Sequence, residues 1–173
     1  MMRAFRSPSS LARVAGVAGL LGLAACAQQP SLPASPRMAV PPYPAQGFVW
    51  CVPYARYVSG LNLQGNARTW WDQAEGRYRR GREPRLGSVL VLRPSPRLPD
   101  GHVAVVTTLE GPRSLRVSHA NWGWDGKTRG RVYENMPVVD ASAANDWTEV
   151  RFLHPEIGSY GRSYAAYGFI HGD

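Results

Sequence analysis

The segment Phe48-Val-Trp-Cys-Val-Pro-Tyr-Ala-Arg-Tyr-Val58 places a cysteine immediately before a predicted helix. Pro53 follows Cys51 by two residues, and its fixed φ and missing N–H suit the first turn of a helix. Apolar residues then recur at helical spacing as far as Leu61, and Gly60 is a residue type that commonly ends helices. The free N–H groups and the positive dipole end of a helix start favour a thiolate. The sequence therefore places Cys51 where a nucleophilic cysteine is expected.

A purely structural role for Cys51 is the competing interpretation, since free cysteines are often small buried apolar residues. An unpaired cysteine in an oxidising compartment, however, usually has a functional reason to be there. Because the chain carries an export signal, described next, we favour the nucleophile.

The first 25 residues have the features of an export signal. Residues 1–13 carry three arginines and no acid, and an apolar run from Val14 to Ala25 follows, too short to span a bilayer as a stable helix. The run ends in Leu23-Ala-Ala-Cys26, which resembles the lipobox of bacterial lipoproteins. That resemblance implies a lipoprotein signal peptide over 1–25 and a lipidated Cys26 as membrane anchor. Ordinary secretion, with cleavage after Ala27, is the alternative.

Residues 26–46 form a proline-rich segment, which predicts an extended tether rather than helix or paired strand. A folded catalytic domain is expected over 47–173. The residue after Cys26 is Ala27, whereas an aspartate at that position is associated with retention in the inner membrane. The lipobox resemblance therefore implies the periplasmic face of the outer membrane, or the periplasm if Cys26 is not lipidated.

Composition narrows the class of protein. The chain has 173 residues, 44% of them hydrophobic, with 18 glycines and 15 prolines, which favours one loop-rich α+β or β domain with appendages over a helical bundle. The formal net charge is +8, and arginines are densest over residues 77–85. We interpret that cluster as a solvated basic face, because no nucleic-acid-binding motif accompanies it. No nucleic-acid partner is predicted.

A histidine at the start of a strand supplies a candidate base. A second helix is expected over 66–78 and a buried strand over 88–92, after which Gly101-His-Val-Ala-Val-Val106 begins the next strand. Alternation along that strand puts His102 on the opposite face from Val103. A return strand then carries His119 and Asn121, two residues apart on one face and close to the start of the His102 strand. Three further strands are expected near 130–133, 147–152 and 167–170.

These pieces together resemble the CHAP family, the cysteine/histidine-dependent amidohydrolases and peptidases. The similarity lies in four segments covering residues 48–122: Cys51-Val-Pro-Tyr-Ala-Arg56, Pro84-Arg-Leu-Gly-Ser-Val-Leu-Val-Leu92, Gly101-His-Val-Ala-Val-Val106 and Val117-Ser-His-Ala-Asn-Trp122. The resemblance implies an α+β, papain-like domain whose N-terminal helices pack on a small antiparallel sheet.

The same resemblance implies that Cys51 is the nucleophile, His102 the base and then the acid, and Asn121 a polar residue of the site. One position departs from the family pattern. Many members carry a glutamate two residues before that asparagine, whereas this chain has His119. A neutral imidazole stabilises an imidazolium less than a carboxylate does. Either His119 or Asn121 is therefore expected to orient His102.

No metal or other cofactor is predicted. The calcium site of some family members would need a cluster of aspartates near the nucleophile, and the nearest acids, Asp72 and Glu75, lie on a predicted helix instead. Zinc held by Cys51, His102 and His119 is formally possible. The chain has no short ligand pair such as H-x-x-x-H or C-x-x-C to support it.

The family resemblance and the export signal together imply a cell-envelope enzyme that hydrolyses an amide bond of peptidoglycan through a cysteine thioester. The bond would be that between muramic acid and L-alanine, or a peptide bond in a stem or cross-link. A non-catalytic wall-binding or scaffold lipoprotein of the same fold is the alternative. Acyl transfer to another amine would use the same thioester chemistry.

Overall fold

The structure is a computed structural model that describes residues 34–44, 46–123, 125–154 and 156–172. The predicted signal peptide, the predicted lipidation site Cys26 and the first part of the predicted tether lie outside these residues. Within the described part, no helix is long and apolar enough to cross a membrane.

The helices are short and come first. Helix α1 is Cys51–Ser59, a 3-10 turn covers Ala67–Thr69, and helix α2 is Trp70–Gln73. Helix α1 ends as the sequence predicts, because Gly60 takes a left-handed conformation (φ 74°) and its N–H donates to the carbonyl of Arg56.

Strands outnumber helices in the described chain, and all of their pairings are antiparallel. They are β1 Arg79–Gly81, β2 Val89–Leu92, β3 His102–Gly111, β4 Ser114–Ala120, β5 Val132–Asp140, β6 Glu149–Leu153 and β7 Tyr160–His171. Their order is β1-β7-β2-β3-β4-β5-β6, and β6 also pairs with β7. Strands β2 to β7 therefore close into a six-stranded antiparallel barrel. Strand β1 pairs with the C-terminal end of β7.

The predicted α+β, papain-like architecture, with N-terminal helices packed on a small antiparallel sheet, is wrong. The described chain is mostly β, and a closed barrel takes the place of the small sheet. The reason lies in β7, whose first half pairs with β6 (Leu153 opposite Tyr160) and whose second half pairs with β2 (Val89 opposite Ile170). One strand thus joins both edges of the sheet, which an open sheet does not require.

Two apolar cores lie on opposite sides of the barrel wall. Alternate residues of β3 divide between them: Ala104 and Val106 face the barrel interior, whereas Val103 and Val105 pack beneath the helices. This confirms the predicted alternation of that strand. The barrel interior is completed mainly by Leu90, Leu115, Val117, Met136, Val138, Val150, Phe152 and Phe169.

Residues 34–44 lie against the barrel. Where β2 no longer covers the edge of β3, the Met38 N–H donates to the Thr107 carbonyl at 2.9 Å and the Leu109 N–H donates to the Pro36 carbonyl at 3.0 Å. Tyr43 packs on the ring of Tyr54, with ring centroids 5.3 Å apart. The C-terminal part of the predicted tether therefore covers an otherwise unpaired strand edge.

Candidate active site

Cys51 is the first residue of α1, preceded by Trp50 in an extended conformation. The backbone N–H groups of Val103, Val52 and Cys51 itself lie near its sulfur. These donors favour a thiolate, as the sequence predicts, but burial outweighs them and raises the pKa of the Cys51 thiol. Cys51 is therefore a neutral thiol at rest, held beside the start of β3.

His102 is the first residue of β3, and Gly101 determines where that strand begins. Gly101 has φ +68°, and a Cβ on it would lie 3.0 Å from both the Arg68 nitrogen and the Leu92 carbonyl oxygen. A side chain at this position would be strained and crowded by backbone on two sides. Glycine thus lets the chain turn tightly and sets His102 at the end of the barrel.

The structure brings His119 directly to His102. Nε2 of His102 lies 2.8 Å from Nδ1 of His119, and the two rings meet edge to face. Both side chains are buried. Burial lowers the pKa of His102 to about 3, and burial together with the neighbouring His102 lowers the pKa of His119 well below its usual value. The pair is therefore uncharged at neutral pH.

Aromatic rings enclose the two imidazoles. The Trp122 ring lies 4.8 Å from His102, centroid to centroid, and the Phe152 ring stacks on His119 at 5.5 Å with an interplanar angle of 21°. Tyr133 approaches His119 from a third side at 5.9 Å. Such an apolar surround excludes water and strengthens electrostatic interactions between the groups inside it.

Asn121 lies at the end of β4 but makes different contacts. It has a left-handed backbone (φ 59°), and its Oδ1 accepts the Gly130 N–H at 3.0 Å. Its own N–H donates to the Arg131 carbonyl at 2.9 Å. Asn121 therefore holds the turn between β4 and β5, while His119 is the residue in contact with His102.

A cleft of about 790 Å³ joins the separate parts of the site. Cys51, His102 and Asn121 all line it, whereas His119 lies buried behind His102. Its charged lining residues are Arg56, Arg97, Asp100 and Arg129. Three of these four residues are arginines, so the cleft is predominantly cationic.

Metal ligands are not clustered in the described residues: no group of three or more histidine, cysteine, aspartate or glutamate side chains could hold an ion there. Among the described residues, Cys51 is the free cysteine. The described residues bring a thiol, an imidazole pair and backbone donors to the cleft.

Comparison with known protein families identifies this arrangement. Residues 43–121 match the family model of the CHAP domain. The chain carries a CHAP domain. No curated protein matches the chain. CHAP domains are generally hydrolases of the amidase or peptidase type, and the match indicates activity of the kind found in peptidoglycan hydrolases. The matched residues include Cys51, His102, His119 and Asn121 of this CHAP domain.

Two side chains that contact the imidazole pair, Trp122 and Met136, are not among the predicted site residues. Trp122 follows Asn121 directly, and an aromatic residue next to a candidate site is a weak signal that could have been used. Met136, whose sulfur lies 3.2 Å from Nε2 of His119, had no such signal. It is 17 residues away along the chain and reaches His119 only through the pairing of β4 with β5.

Proposed function

We propose that this CHAP domain hydrolyses an amide bond of peptidoglycan through a thioester on Cys51. The observation that carries the proposal is that Cys51 and His102 line one cleft while Nδ1 of His119 lies 2.8 Å from Nε2 of His102. A nucleophile, a base and a residue that orients the base are the parts required for this chemistry.

The reaction starts from the uncharged pair. As the Cys51 sulfur attacks the amide carbonyl, His102 takes the thiol proton, and the backbone N–H groups at the start of α1 stabilise the oxyanion. His102 then gives its proton to the leaving amine, so that the C–N bond breaks and a thioester remains. Water attacks the thioester with His102 as base, releasing a carboxylic acid and restoring the thiol.

His119 is proposed as the orienting residue in preference to Asn121. Its Nδ1 is within hydrogen-bond distance of His102, whereas the Asn121 side-chain oxygen is engaged by Gly130. A neutral imidazole can accept the Nε2–H of His102 both before and after proton transfer. It supplies less stabilisation to an imidazolium than a carboxylate does, so the ion pair forms only during the reaction.

The charge of the cleft supports a peptidoglycan substrate. Arg97 and Arg129 are exposed at its lining, and Arg56 lies on the α1 side. Stem peptides carry free carboxylates, which arginine binds well. The scissile bond is proposed to be the muramoyl–L-alanine amide or a peptide bond in a stem or cross-link.

Membrane attachment is a separate part of the proposal. Residues 1–25 would be removed as a lipoprotein signal peptide, leaving a lipidated Cys26 at the start of a 26–46 tether and a catalytic domain over 47–173. Two apolar signals are usually needed for stable anchoring of a soluble domain, and a lipoprotein N-terminus supplies several acyl chains. The domain would then face peptidoglycan from the periplasmic side of the outer membrane.

The two cysteines of the chain allow a matched test. Cys51→Ser and Cys26→Ser variants are produced with the full leader, fractionated, and incubated with purified peptidoglycan whose soluble products are read by mass spectrometry. We expect Cys51→Ser to stay with the membrane and to release products at least about a hundredfold more slowly. Cys26→Ser should leave the membrane fraction and keep its hydrolytic rate.

The products identify the bond. Stem peptides released from intact glycan would indicate an amidase, and cut stems or cross-links an endopeptidase. If the unaltered protein has a reduced, alkylatable Cys51 and still releases nothing, hydrolysis of the wall is excluded and the scaffold alternative stands. Undiminished release by Cys51→Ser would exclude the thioester.

A further inference from the structure

We propose that Met136 is a positioning residue whose thioether fixes the tautomers of the two buried imidazoles and so leaves Nδ1 of His102 free to take a proton. This inference rests on the proposed function, because the proton in question is that of Cys51.

Three side chains, those of His102, His119 and Met136, form a continuous line through the end of the barrel. Nε2 of His102 lies 2.8 Å from Nδ1 of His119, and Nε2 of His119 lies 3.2 Å from the sulfur of Met136. All three side chains are buried. Both nitrogens of His119 therefore have one defined neighbour each, and neither is exposed to water.

The chemistry of the thioether determines which atoms donate and which accept in the two hydrogen bonds of His119. A methionine sulfur accepts hydrogen bonds weakly and has no proton to donate. The contact with Met136 is thus a hydrogen bond only if His119 carries its proton on Nε2. A neutral His119 then has a bare Nδ1, which accepts from Nε2–H of His102. A neutral His102 with its proton on Nε2 has a bare Nδ1.

The opposite tautomer is unproductive. If His119 carried its proton on Nδ1 and donated it to His102, its Nε2 lone pair would face the lone pairs of the Met136 sulfur. His102 would then carry its proton on Nδ1 and could not accept the proton of Cys51. Met136 therefore favours the one arrangement in which the imidazole pair is a base.

Other groups around His119 do not replace this contact. The Tyr133 hydroxyl, on a ring beside His119, donates to the Thr128 carbonyl at 3.0 Å. The stacked Phe152 has no polar atom. The sulfur of Met136 is the acceptor that the structure places on Nε2 of His119.

Met136→Leu tests the inference, and Met38→Leu is the matched control, since Met38 is a partly buried methionine near Gly87, apart from the imidazoles. Three quantities are measured on the full chain: the imidazole tautomers by nitrogen-15 NMR of labelled histidine, kcat and KM for peptidoglycan peptides, and the rate of Cys51 alkylation by iodoacetamide. For Met136→Leu we expect mixed tautomers, roughly a five- to tenfold fall in kcat and in alkylation rate, and an unchanged KM. Met38→Leu should match the unaltered protein in all three.

A second pair of proteins removes the sulfur without changing the shape of the side chain. In the Met38→Leu background, Met136 is the remaining methionine of the described residues, and it is replaced biosynthetically by norleucine or by selenomethionine. Norleucine has a methylene in place of sulfur and should reproduce the Leu effects. Selenium accepts hydrogen bonds as sulfur does and should restore both the tautomers and the rate.

Unchanged tautomers and rates in the norleucine protein would overturn the inference, even if Met136→Leu fails to fold. Loss of rate with unchanged tautomers would also overturn it, because packing alone would then explain the loss. Failure of the proposed function gives a different result: the tautomers respond to norleucine as expected while the unaltered protein hydrolyses no amide.

Discussion

His102 and His119 form an uncharged pair, and this decides how the proposed reaction proceeds. Burial lowers the pKa of His102 to about 3 and raises the pKa of the Cys51 thiol. No carboxylate takes the place of His119 to offset the loss of hydration. The proton therefore stays on sulfur until the substrate is attacked, and the tautomer of His102 matters as much as its position.

The buried pair predicts a loss of stability in mild acid. His102 titrates near its usual pKa of 6.5 when unfolded and at about 3 when folded, and the pKa of His119 is shifted in the same direction. The unfolded chain thus binds more protons below about pH 6.5. Stability is full above that value and falls as the pH decreases, by up to about 1.4 kcal/mol per pH unit for each histidine.

Urea unfolding between about pH 7 and pH 5 measures this slope, in a range where carboxylates stay mostly ionised. His119→Phe should lower the slope by roughly half, because one of the two buried imidazoles is removed. The same slope in His119→Phe and the unaltered protein would show that the pair is not buried uncharged.

Loss of His119 is expected to slow the reaction more than loss of Asn121. His119→Phe removes the acceptor on His102 and should lower kcat roughly a hundredfold, because the base loses its orientation. Asn121→Gly keeps the left-handed backbone and should cost less than about fivefold. Initial rates on purified peptidoglycan measure both. The reverse order would assign the role to Asn121.

At the scale of elements, local patterns in the sequence predicted much of what the structure contains. The helix after Cys51, its end at Gly60, the buried strand at 88–92 and the hairpin formed by β3 and β4 are all present. Each depends on interactions between residues that are close in sequence: a proline in the first turn, a left-handed glycine, period-two alternation. The family resemblance, carried by the same segments, is confirmed by the match over residues 43–121.

Barrel closure could not be predicted in the same way, because it depends on pairing between distant elements. The sequence predicts strand β7 only near 167–170, yet the strand extends over Tyr160–His171. Its first half has the burial pattern of a surface strand, and nothing in that pattern indicates that β6 is its partner. The contact of Met136 with His119 has the same origin, since the register of β5 against β4 brings the two together.

Across the whole molecule the formal net charge is +8, and arginines lie in the cleft as well as on the rest of the surface. The arginines over 77–85 include Arg80 and Arg82, which pair with Glu75 and Asp146. In contrast, Arg97 and Arg129 are exposed and line the cleft that contains Cys51. The charge best placed to select a substrate therefore lies in the cleft.

The Arg97→Gln/Arg129→Gln double variant should raise KM roughly tenfold for stem peptides with free carboxylates, since each exposed ion pair contributes up to about 1 kcal/mol. The kcat should change little, because neither guanidinium is required for proton transfer.

Peptides with amidated carboxyls provide the internal comparison and should show the same KM with either protein. Arg82→Gln, outside the cleft, is the matched control. Added salt should reduce the difference between the proteins, because exposed charges are screened. An equal rise in KM for free and amidated peptides would mean that the arginines affect the shape of the cleft and do not bind the substrate carboxylates.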